Sequence, residues 1–317
     1  MSDEVEAPEG NGRDPEKVIL AVIVAAIILA SGSSVYVWYS SAQTGGGEVP
    51  SVRSGDEVSL HYIGRLPDGR VFDTSLWYVA QDDAKYPKSL TFTRRSNESY
   101  MPLAITAGDY GPNGTIKGFA LGVIGMHVGD TRVIDVPVGE GYALRPERIS
   151  TIPLIDDTIP VMETMTEDDF KIYYKVTPVP MDTLQHYFWG WEVVVVSVSG
   201  GYVTVRSEPH LGEIVYPYGN PNLLTEPEGW EVKVIGYDAA ADGGRGRITV
   251  QHMIEPEDVY YVKGKDVSGE TVIVWNYDAD NRTFQIHRSY KSIGYNAEIS
   301  GRELFFEVTI ISVAPAE

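Results

Sequence analysis

The residues of this chain that could do chemistry are six histidines, a glycine-rich segment with one lysine, and a hairpin with a tyrosine and a Phe-Asp pair. The histidines lack the spacing of a metal site, and residues 111–118 do not fit the phosphate-binding pattern GxxxxGK[ST]. The sequence contains no GxSxG nucleophile elbow and no cysteine. We therefore expect neither a metal ion nor a cofactor.

The hairpin is the segment VSLHYIGRLPDGRVFDTSL, residues 58–76. Its Pro-Asp-Gly turn predicts one strand over Val58–Ile63 and a returning strand at Val71–Phe72. Tyr62, Phe72 and Asp73 then have two interpretations. They are core aromatics beside a surface acid, or they line a pocket.

Other segments show which elements would position these side chains. Alternating apolar residues predict strands at Asp130–Val136 and Glu303–Val313. Three similar hairpins in the intervening chain predict a small repeated β unit, and they cover Trp191–Val205, Trp230–Val250 and Thr271–Ile286. The segment Met165–Tyr174 predicts a short helix with Thr166 as its N-cap.

The N-terminal region predicts a membrane anchor. Residues 18–39 carry no charge, and at about 1.5 Å per residue they can span the ~30 Å hydrocarbon core. A polar tail, residues 1–17, precedes this helix, and a flexible spacer, residues 40–50, follows it. Because Arg13 and Lys17 precede the span, we expect a cytoplasmic N-terminus and extracytoplasmic C-terminal domains. A cleaved signal peptide is the alternative.

The charge of the chain limits its partners. The formal net charge is −20, which repels nucleic-acid backbones, so we expect no nucleic-acid partner. The composition is 43% hydrophobic and 22% charged, as in ordinary folded proteins. The sequence leaves the oligomeric state open.

Four blocks of the sequence resemble the FKBP-type peptidyl-prolyl isomerases, and they occur in that family's order. The blocks are GDEVSLHYIGRLPDGRVFDTS, LAITAG, TIKGFALGVIGMHVGDTRVIDVPVGEGYA and NAEISGRELFFEVTIISV. A long insertion lies between residues 141–143 and the final strand. SlyD-like and archaeal long-type members carry an insert-in-flap chaperone domain at this place.

The resemblance implies an α+β fold, in which an antiparallel half-barrel sheet wraps on a short helix. The helix is expected to follow Gly118-Phe119-Ala120. The FKBP-like domain would comprise residues 51–145 and the final strand within residues 289–317. A large β-rich inserted domain, residues 146–288, would interrupt it.

The resemblance also implies the residues of a proline pocket. Seven of them carry the family's catalytic roles, namely Tyr62, Phe72, Asp73, Ile116, Phe119, Tyr142 and Phe306. Leu103 and Ile105 would form a substrate-binding wall where aromatic residues are common in the family. Phe119 replaces the usual tryptophan of the pocket floor, and the loop over Trp77–Tyr100 is longer than in a minimal member. For Asp73 two roles remain open, orienting Tyr62 or polarising a substrate carbonyl.

These features predict a membrane-anchored isomerase and folding chaperone for X-Pro bonds of extracytoplasmic proteins. Its partners would be unfolded or nascent proline-containing polypeptides. The alternatives are a non-catalytic holdase or assembly factor on the same scaffold, and a structural surface protein. The insert holds a dense aromatic set that is either a packed core or an exposed groove, namely Phe170, Tyr173, Tyr174, Tyr187, Phe188, Trp189, Trp191, Tyr202, Tyr216 and Tyr218.

Overall fold

The computed structural model describes residues 51–111, 114–225 and 227–316. These residues form two compact units, one from residues 51–143 and 301–316 and one from residues 144–300. The predicted tail, membrane helix and spacer lie outside the described residues. Within them, no helix has the length and apolar character that crossing a bilayer requires.

The secondary structure of the described residues is mostly β. The strands are β1 (Glu57–Arg65), β2 (Val71–Thr74), β3 (Leu103–Thr106), β4 (Thr131–Val136), β5 (Ile149–Pro153), β6 (Ile155–Pro160), β7 (Met162–Thr166), β8 (Thr183–Gln185), β9 (Glu192–Ser199), β10 (Tyr202–Ser207), β11 (Ile214–Val215), β12 (Val232–Asp238), β13 (Arg247–His252), β14 (Lys263–Lys265), β15 (Thr271–Asp278), β16 (Thr283–Arg288) and β17 (Leu304–Ala314). The helices are α1 (Trp77–Gln81), α2 (Lys117–Gly122), α3 (Glu167–Tyr174) and the single turn α4 (Ala241–Gly244).

The first unit is built on one antiparallel sheet with the strand order β2-β1-β17-β4. Strand β3 pairs with the N-terminal half of β1, and β2 pairs with its C-terminal half. Every second residue of β17 from Leu304 to Ile310 is buried, as the alternating pattern predicts. The predicted strands at both ends of this unit are therefore confirmed.

Helix α2 packs closely on strand β4. A Cβ atom on Gly122 would lie 2.3 Å from Cγ2 of Ile134, so only glycine permits this approach of helix to sheet. The helix begins at Lys117. The prediction that it follows residues 118–120 was wrong, because these three residues form its first turn.

The long loop after β2 covers the opposite face of the sheet. Its residues Val79 and Tyr86 are buried against Ile63 and Val71 in a small separate core. Ile63 points away from the face that carries Tyr62, because neighbouring strand residues alternate between faces. The first half of this loop therefore stabilises the back of the sheet.

The second unit repeats one β arrangement three times. Each of its sheets contains a central hairpin, a short strand on the first hairpin strand and a longer strand on the second. The three sheets have the orders β8-β9-β10-β7, β11-β12-β13-β6 and β14-β15-β16-β5. The predicted repeat of three hairpins is confirmed.

The repeat extends to a bulge at the same place in each hairpin. Val196, Ile235 and Trp275 are the extra residues on the first hairpin strands, and each follows three paired residues. A bulge increases the local twist of a strand pair. Buried side chains of the three sheets then meet in a single core, which contains Val195, Val234 and Val274 among others.

The aromatic set of the insert divides between core and surface. Phe170, Trp191 and Tyr218 are buried in the core, whereas Tyr173 and Tyr187 are exposed. The predicted helix is present as α3, and the Thr166 hydroxyl accepts a hydrogen bond from the backbone N–H of Asp169. The packed-core interpretation therefore holds for the first three residues, whereas the other two lie at the surface.

The borders of the second unit enclose slightly more chain than the predicted limits of 146 and 288. Residues 289–300 belong to this unit. Tyr295 explains the difference, because its hydroxyl contacts Nε2 of His287 at 2.7 Å and accepts the backbone N–H of Arg145 at 3.0 Å. The two hydrogen bonds of Tyr295 therefore hold residues 289–300 in the second unit.

Candidate active site

Four aromatic rings from distant parts of the chain meet on one face of the first sheet. The ring of Phe306 lies 4.8 Å from that of Phe119, 5.5 Å from that of Phe72 and 6.3 Å from that of Tyr62. The rings of Tyr62 and Phe119 lie 6.1 Å apart. Such edge-to-face distances are favourable for aromatic pairs. Strands β1, β2 and β17 and helix α2 each contribute one ring to this cluster.

A β-bulge brings both members of the Phe-Asp pair to this face. Gly64 pairs with Asp73 and Arg65 pairs with Val71, so Phe72 is the extra residue on β2. Without the bulge, neighbouring residues of a strand would point to opposite faces. The Phe72 ring also requires glycine below it, since a Cβ atom on Gly64 would lie 2.6 Å from its Cζ.

Asp73 connects the tyrosine of the pocket to an arginine of the long loop. The Tyr62 hydroxyl donates to Oδ2 of Asp73 at 2.6 Å. Nη2 of Arg95 donates to Oδ1 of the same carboxylate at 3.1 Å and to the carbonyl of Thr74 at 2.6 Å. The guanidinium also lies over the ring of Tyr100, 4.9 Å from its centre. These bonds fix the carboxylate at the rim of the ring cluster.

The two tyrosine hydroxyls of the site remain protonated at physiological pH. Burial raises the pKa of Tyr62 well above its usual value, and the charge and hydrogen bond of Asp73 raise it further. Burial likewise raises the pKa of Tyr142, with an added effect of the Asp73 charge. Both hydroxyls can therefore act as hydrogen-bond donors.

Tyr142 and Ile116 are positioned by the loops beside helix α2. The carbonyl of Tyr142 accepts the backbone N–H of Gly301 at 2.8 Å, and the carbonyl of Glu140 accepts that of Gly118 at 3.0 Å. Ile116 is the residue directly before the helix, in an extended conformation. Tyr142 as a whole residue is 40% exposed.

Leu103 and Ile105 lie further from the rings along the same face. They pair directly with Leu60 and Val58, which share the face of Tyr62 because they occupy even positions of β1. Leu103 is 37% exposed, and Ile105 is half-buried. Their side chains therefore lie on the same face of the sheet as the ring cluster, towards the N-terminal end of β1.

Residues 49–157 match the model of the FKBP-type peptidyl-prolyl cis-trans isomerase family. The chain contains an FKBP-type domain. The match ends inside the second unit. Strand β17, which follows residue 300, pairs with β1 on one side and with β4 on the other and so completes the sheet of the first unit.

Several known proteins are similar to about a third of this chain. A short-type peptidyl-prolyl cis-trans isomerase of Methanocaldococcus jannaschii is 35% identical over 99 residues, 31% of this chain and 55% of the relative. FK506-binding protein 4 of Chaetomium thermophilum is 35% identical over 95 residues, 30% of this chain and 14% of the relative. FK506-binding protein 2 of Yarrowia lipolytica is 33% identical over 90 residues, 28% of this chain and 46% of the relative. The chain thus spans about half or less of these relatives.

Sequence reasoning missed Arg95 as a member of the site. It lies 22 residues after its partner Asp73, in the loop over Trp77–Tyr100, for which the sequence predicted only an unusual length. Arg95 directly follows Arg94, and no motif or spacing in the sequence marks it as a pocket residue. Its role follows only from the path of the loop, whose first half packs behind the sheet and whose last residues return to its front.

Proposed function

We propose that this protein is a membrane-anchored peptidyl-prolyl cis-trans isomerase and folding chaperone for extracytoplasmic proteins. The observation that carries the catalytic part is the convergence of Tyr62, Phe72, Phe119 and Phe306 on one face of the FKBP-type domain. An apolar cluster with hydroxyl donors at its rim suits a proline ring and its flanking carbonyls. The substrate would be an X-Pro bond of an unfolded chain.

The chemistry requires no nucleophile, because no bond is made or broken. Rotation about an X-Pro bond crosses a barrier of ~18–20 kcal/mol, which amide resonance creates. The twisted transition state has less charge separation than the planar amide, so an apolar pocket favours it relative to the ground state. An acceleration of about 10³-fold requires roughly 4 kcal/mol of such differential binding.

The side chains of this site have distinct roles in the proposal. The rings of Phe72, Phe119 and Phe306 would hold the proline, and the Tyr142 hydroxyl and the Ile116 N–H would hold the substrate carbonyls. The geometry favours an orienting role for Asp73, since one of its oxygens already accepts the Tyr62 hydroxyl and the other accepts Arg95. Leu103 and Ile105 would contact the residues beside the proline.

A proline-peptide assay tests the catalytic proposal. The full chain in lipid nanodiscs should accelerate cis-to-trans conversion of a short X-Pro peptide above the uncatalysed rate. Phe119→Ala should lower kcat/KM by about tenfold or more, because it removes a buried ring of the pocket. Phe92→Ala is the matched control, since Phe92 packs against the small core behind the sheet. A wild-type rate equal to the background would refute isomerase activity.

The insert would act as the chaperone part, because it exposes apolar surface. Tyr173 and Tyr187 are 43% and 37% exposed, and their rings stack at 4.4 Å. Holding an unfolded segment on the chain that carries the pocket raises the effective concentration of its prolines. This observation equally supports the second candidate, a holdase without useful turnover, which predicts suppression of aggregation together with no isomerase rate.

The proposed membrane anchor and extracytoplasmic location rest on the sequence of residues 1–50. The uncharged stretch over residues 18–39 suits a bilayer, and Arg13 and Lys17 favour a cytoplasmic N-terminus. Mass spectrometry of the mature protein tests the anchor directly. A chain that begins after residue 30 would indicate a cleaved signal peptide instead.

A further inference from the structure

Three Asn-x-Ser/Thr triplets occur in the sequence, at Asn97, Asn113 and Asn281. This triplet is the acceptor motif for N-linked glycans, which are bulky, solubilising groups on protein surfaces. Asn113 lies outside the described residues, whereas the other two triplets lie within them. Because the motif is short, the local structure has to show which of these two triplets a transferase can reach.

The triplet at Asn97 is presented on an exposed turn. Residues 93–99 are all exposed, and the triplet forms a single 3₁₀ turn near the end of the long loop. Within the part of the chain that the structure describes, the side-chain amide of Asn97 forms no hydrogen bond. Two backbone bonds close the turn, from Ser99 N–H to the Ser96 carbonyl at 3.0 Å and from Tyr100 N–H to the Asn97 carbonyl at 3.1 Å. Such a turn opens at low cost, because water replaces its bonds.

The triplet at Asn281 is held in the sheet β14-β15-β16-β5. Its side-chain Nδ2 donates to Oδ2 of Asp278 at 2.7 Å, and its backbone N–H donates to Oδ1 of the same carboxylate at 3.0 Å. The hydroxyl residue of this triplet, Thr283, begins strand β16 and pairs with Asp278 on one side and with Pro153 on the other. A transferase could therefore engage this triplet only after two strand pairs had opened.

The transfer reaction requires an accessible amide and an accessible hydroxyl. The amide nitrogen forms a bond to the anomeric carbon of a sugar, and the bond from that carbon to the phosphate of a lipid-linked oligosaccharide breaks. The phosphate leaves with the electron pair, and a base of the transferase takes the amide proton. At Asn97 both groups are exposed, since the Ser99 hydroxyl contacts only the neighbouring exposed hydroxyl of Ser96 at 3.0 Å within the described ranges.

We propose that Asn97 is glycosylated on the folded protein and that Asn281 is not. The sugar donor is a lipid-linked oligosaccharide on the outer side of the membrane, so this modification rests on the proposed extracytoplasmic location. The exposed turn and the unbonded amide select the first triplet. The bonded amide and the doubly paired strand exclude the second one.

The modified residue lies close in sequence to the rim of the candidate pocket. Asn97 is two residues after Arg95, which bonds Asp73, and three residues before Tyr100, whose ring the Arg95 guanidinium covers. An oligosaccharide on Asn97 replaces none of these contacts, because the Asn97 side chain takes no part in them. We therefore expect turnover of a short X-Pro peptide to be the same with and without the oligosaccharide.

Mass spectrometry of the full chain, purified from the membranes of the cells that produce it naturally, tests the modification. Trypsin and chymotrypsin together release Asn97 in residues 96–100, apart from Asn113, and Asn281 in residues 278–282. We expect the mass of an oligosaccharide on the first peptide. The second peptide should have the mass of its amino acids alone.

Substitutions of the hydroxyl residue give a matched pair of variants. Ser99→Ala should abolish the oligosaccharide on Asn97, because alanine lacks the hydroxyl that the motif requires. Ser99→Thr keeps a hydroxyl and should retain the oligosaccharide. Ser96→Ala is a second control, since it removes the hydroxyl that contacts Ser99 and leaves the triplet intact. Circular dichroism of all three variants should match the wild type, which shows that each one folds.

Three results would overturn the proposal. They are an unmodified Asn97 in the wild type, an oligosaccharide that persists on Asn97 in Ser99→Ala, and equal occupancy of Asn97 and Asn281, which would make the unfolded chain the acceptor. A membrane-impermeant biotin reagent on intact cells separates two causes of an unmodified Asn97. Labelled lysines then refute glycosylation and leave the extracytoplasmic location standing, whereas unlabelled lysines refute both. Neither readout depends on isomerase turnover.

Discussion

At the residue scale, the candidate site depends on a chain of three polar groups beside an apolar cluster. Asp73 accepts from Tyr62 on one side and from Arg95 on the other. Burial lowers the pKa of Arg95, but the charge of Asp73 and the interactions with Tyr62 and Tyr100 together outweigh it and raise that pKa overall. Arg95 therefore balances the charge of the Asp73 carboxylate. The Tyr62 ring, which bonds to that carboxylate, is fixed against Phe119 and Phe306.

Replacement of Arg95 tests this chain. Arg95→Ala should lower kcat/KM for a proline peptide roughly three- to tenfold, because Asp73 loses one of its two partners. Arg94→Ala is the matched control, since Arg94 instead bonds Asp83 and the carbonyl of Ala80. In an Asp73→Asn background, Arg95→Ala should have no further effect. Equal losses from both arginines would show that the loop matters only as a whole.

At the element scale, the bulge in β2 is the feature that builds the pocket. It turns Phe72 and Asp73 to one face, and the missing side chain at Gly64 leaves room for the Phe72 ring. The path of the loop after β2 has a similar effect. Its first half is buried behind the sheet, so that Arg95 and Tyr100 return to the front.

Alanine at Gly64 tests the packing of the ring on the strand. The added Cβ would lie 2.6 Å from Phe72, so Gly64→Ala should destabilise the first unit by about 1–3 kcal/mol. Gly141→Ala is the control, since its Cβ would meet Leu304 and Val136 at 3.5 Å, an ordinary contact. Urea denaturation measures both variants. An unchanged urea midpoint for Gly64→Ala would mean that the Phe72 ring can adopt another position.

At the scale of the whole molecule, two units with separate cores share one chain. The second unit buries three sheets on one core, and it is inserted between Tyr142, a residue of the candidate pocket, and the last strand of the first unit. The backbone N–H of Gly301 donates to the carbonyl of Tyr142, and this hydrogen bond joins the two places where the chain leaves and re-enters the first unit. Because each unit has its own core, we expect each to respond separately to conditions that affect its buried groups.

Acid should destabilise the second unit. Burial lowers the pKa of His252 to about 4, and its Nδ1 accepts the indole N–H of Trp230 at 3.1 Å. The unfolded chain takes up a proton below about pH 6.5, whereas the folded unit does not until about pH 4. The free energy of unfolding is therefore fully present above pH 6.5 and falls as the pH decreases towards 4.

The size of this effect gives the test. At pH 5 His252 alone should lower the free energy of unfolding by about 2 kcal/mol relative to pH 7. Burial also lowers the pKa of His287 to about 4, so a second loss is expected. His252→Asn keeps an acceptor for Trp230 and should reduce the difference between pH 7 and pH 5 by that amount. Denaturation curves with the same pH dependence in variant and wild type would contradict the assignment.

Much of the fold and the ring cluster could be predicted from the sequence, because local patterns carry them. Alternation predicts the strands, Thr166 predicts the start of α3, and the matching motifs predict Phe119 and Phe306 as pocket residues. These properties depend on neighbours in the sequence or on motifs within one element. The three similar hairpins likewise predict the repeat, since each hairpin is encoded within about twenty residues.

Other features were decided only by the tertiary structure. The bulge at Phe72 depends on which residues of β1 and β2 pair, and Arg95 reaches Asp73 only because the loop between them packs behind the sheet. Sequence patterns determine which face of an element is apolar, whereas register and chain path arise from contacts between distant residues that compete for the same core.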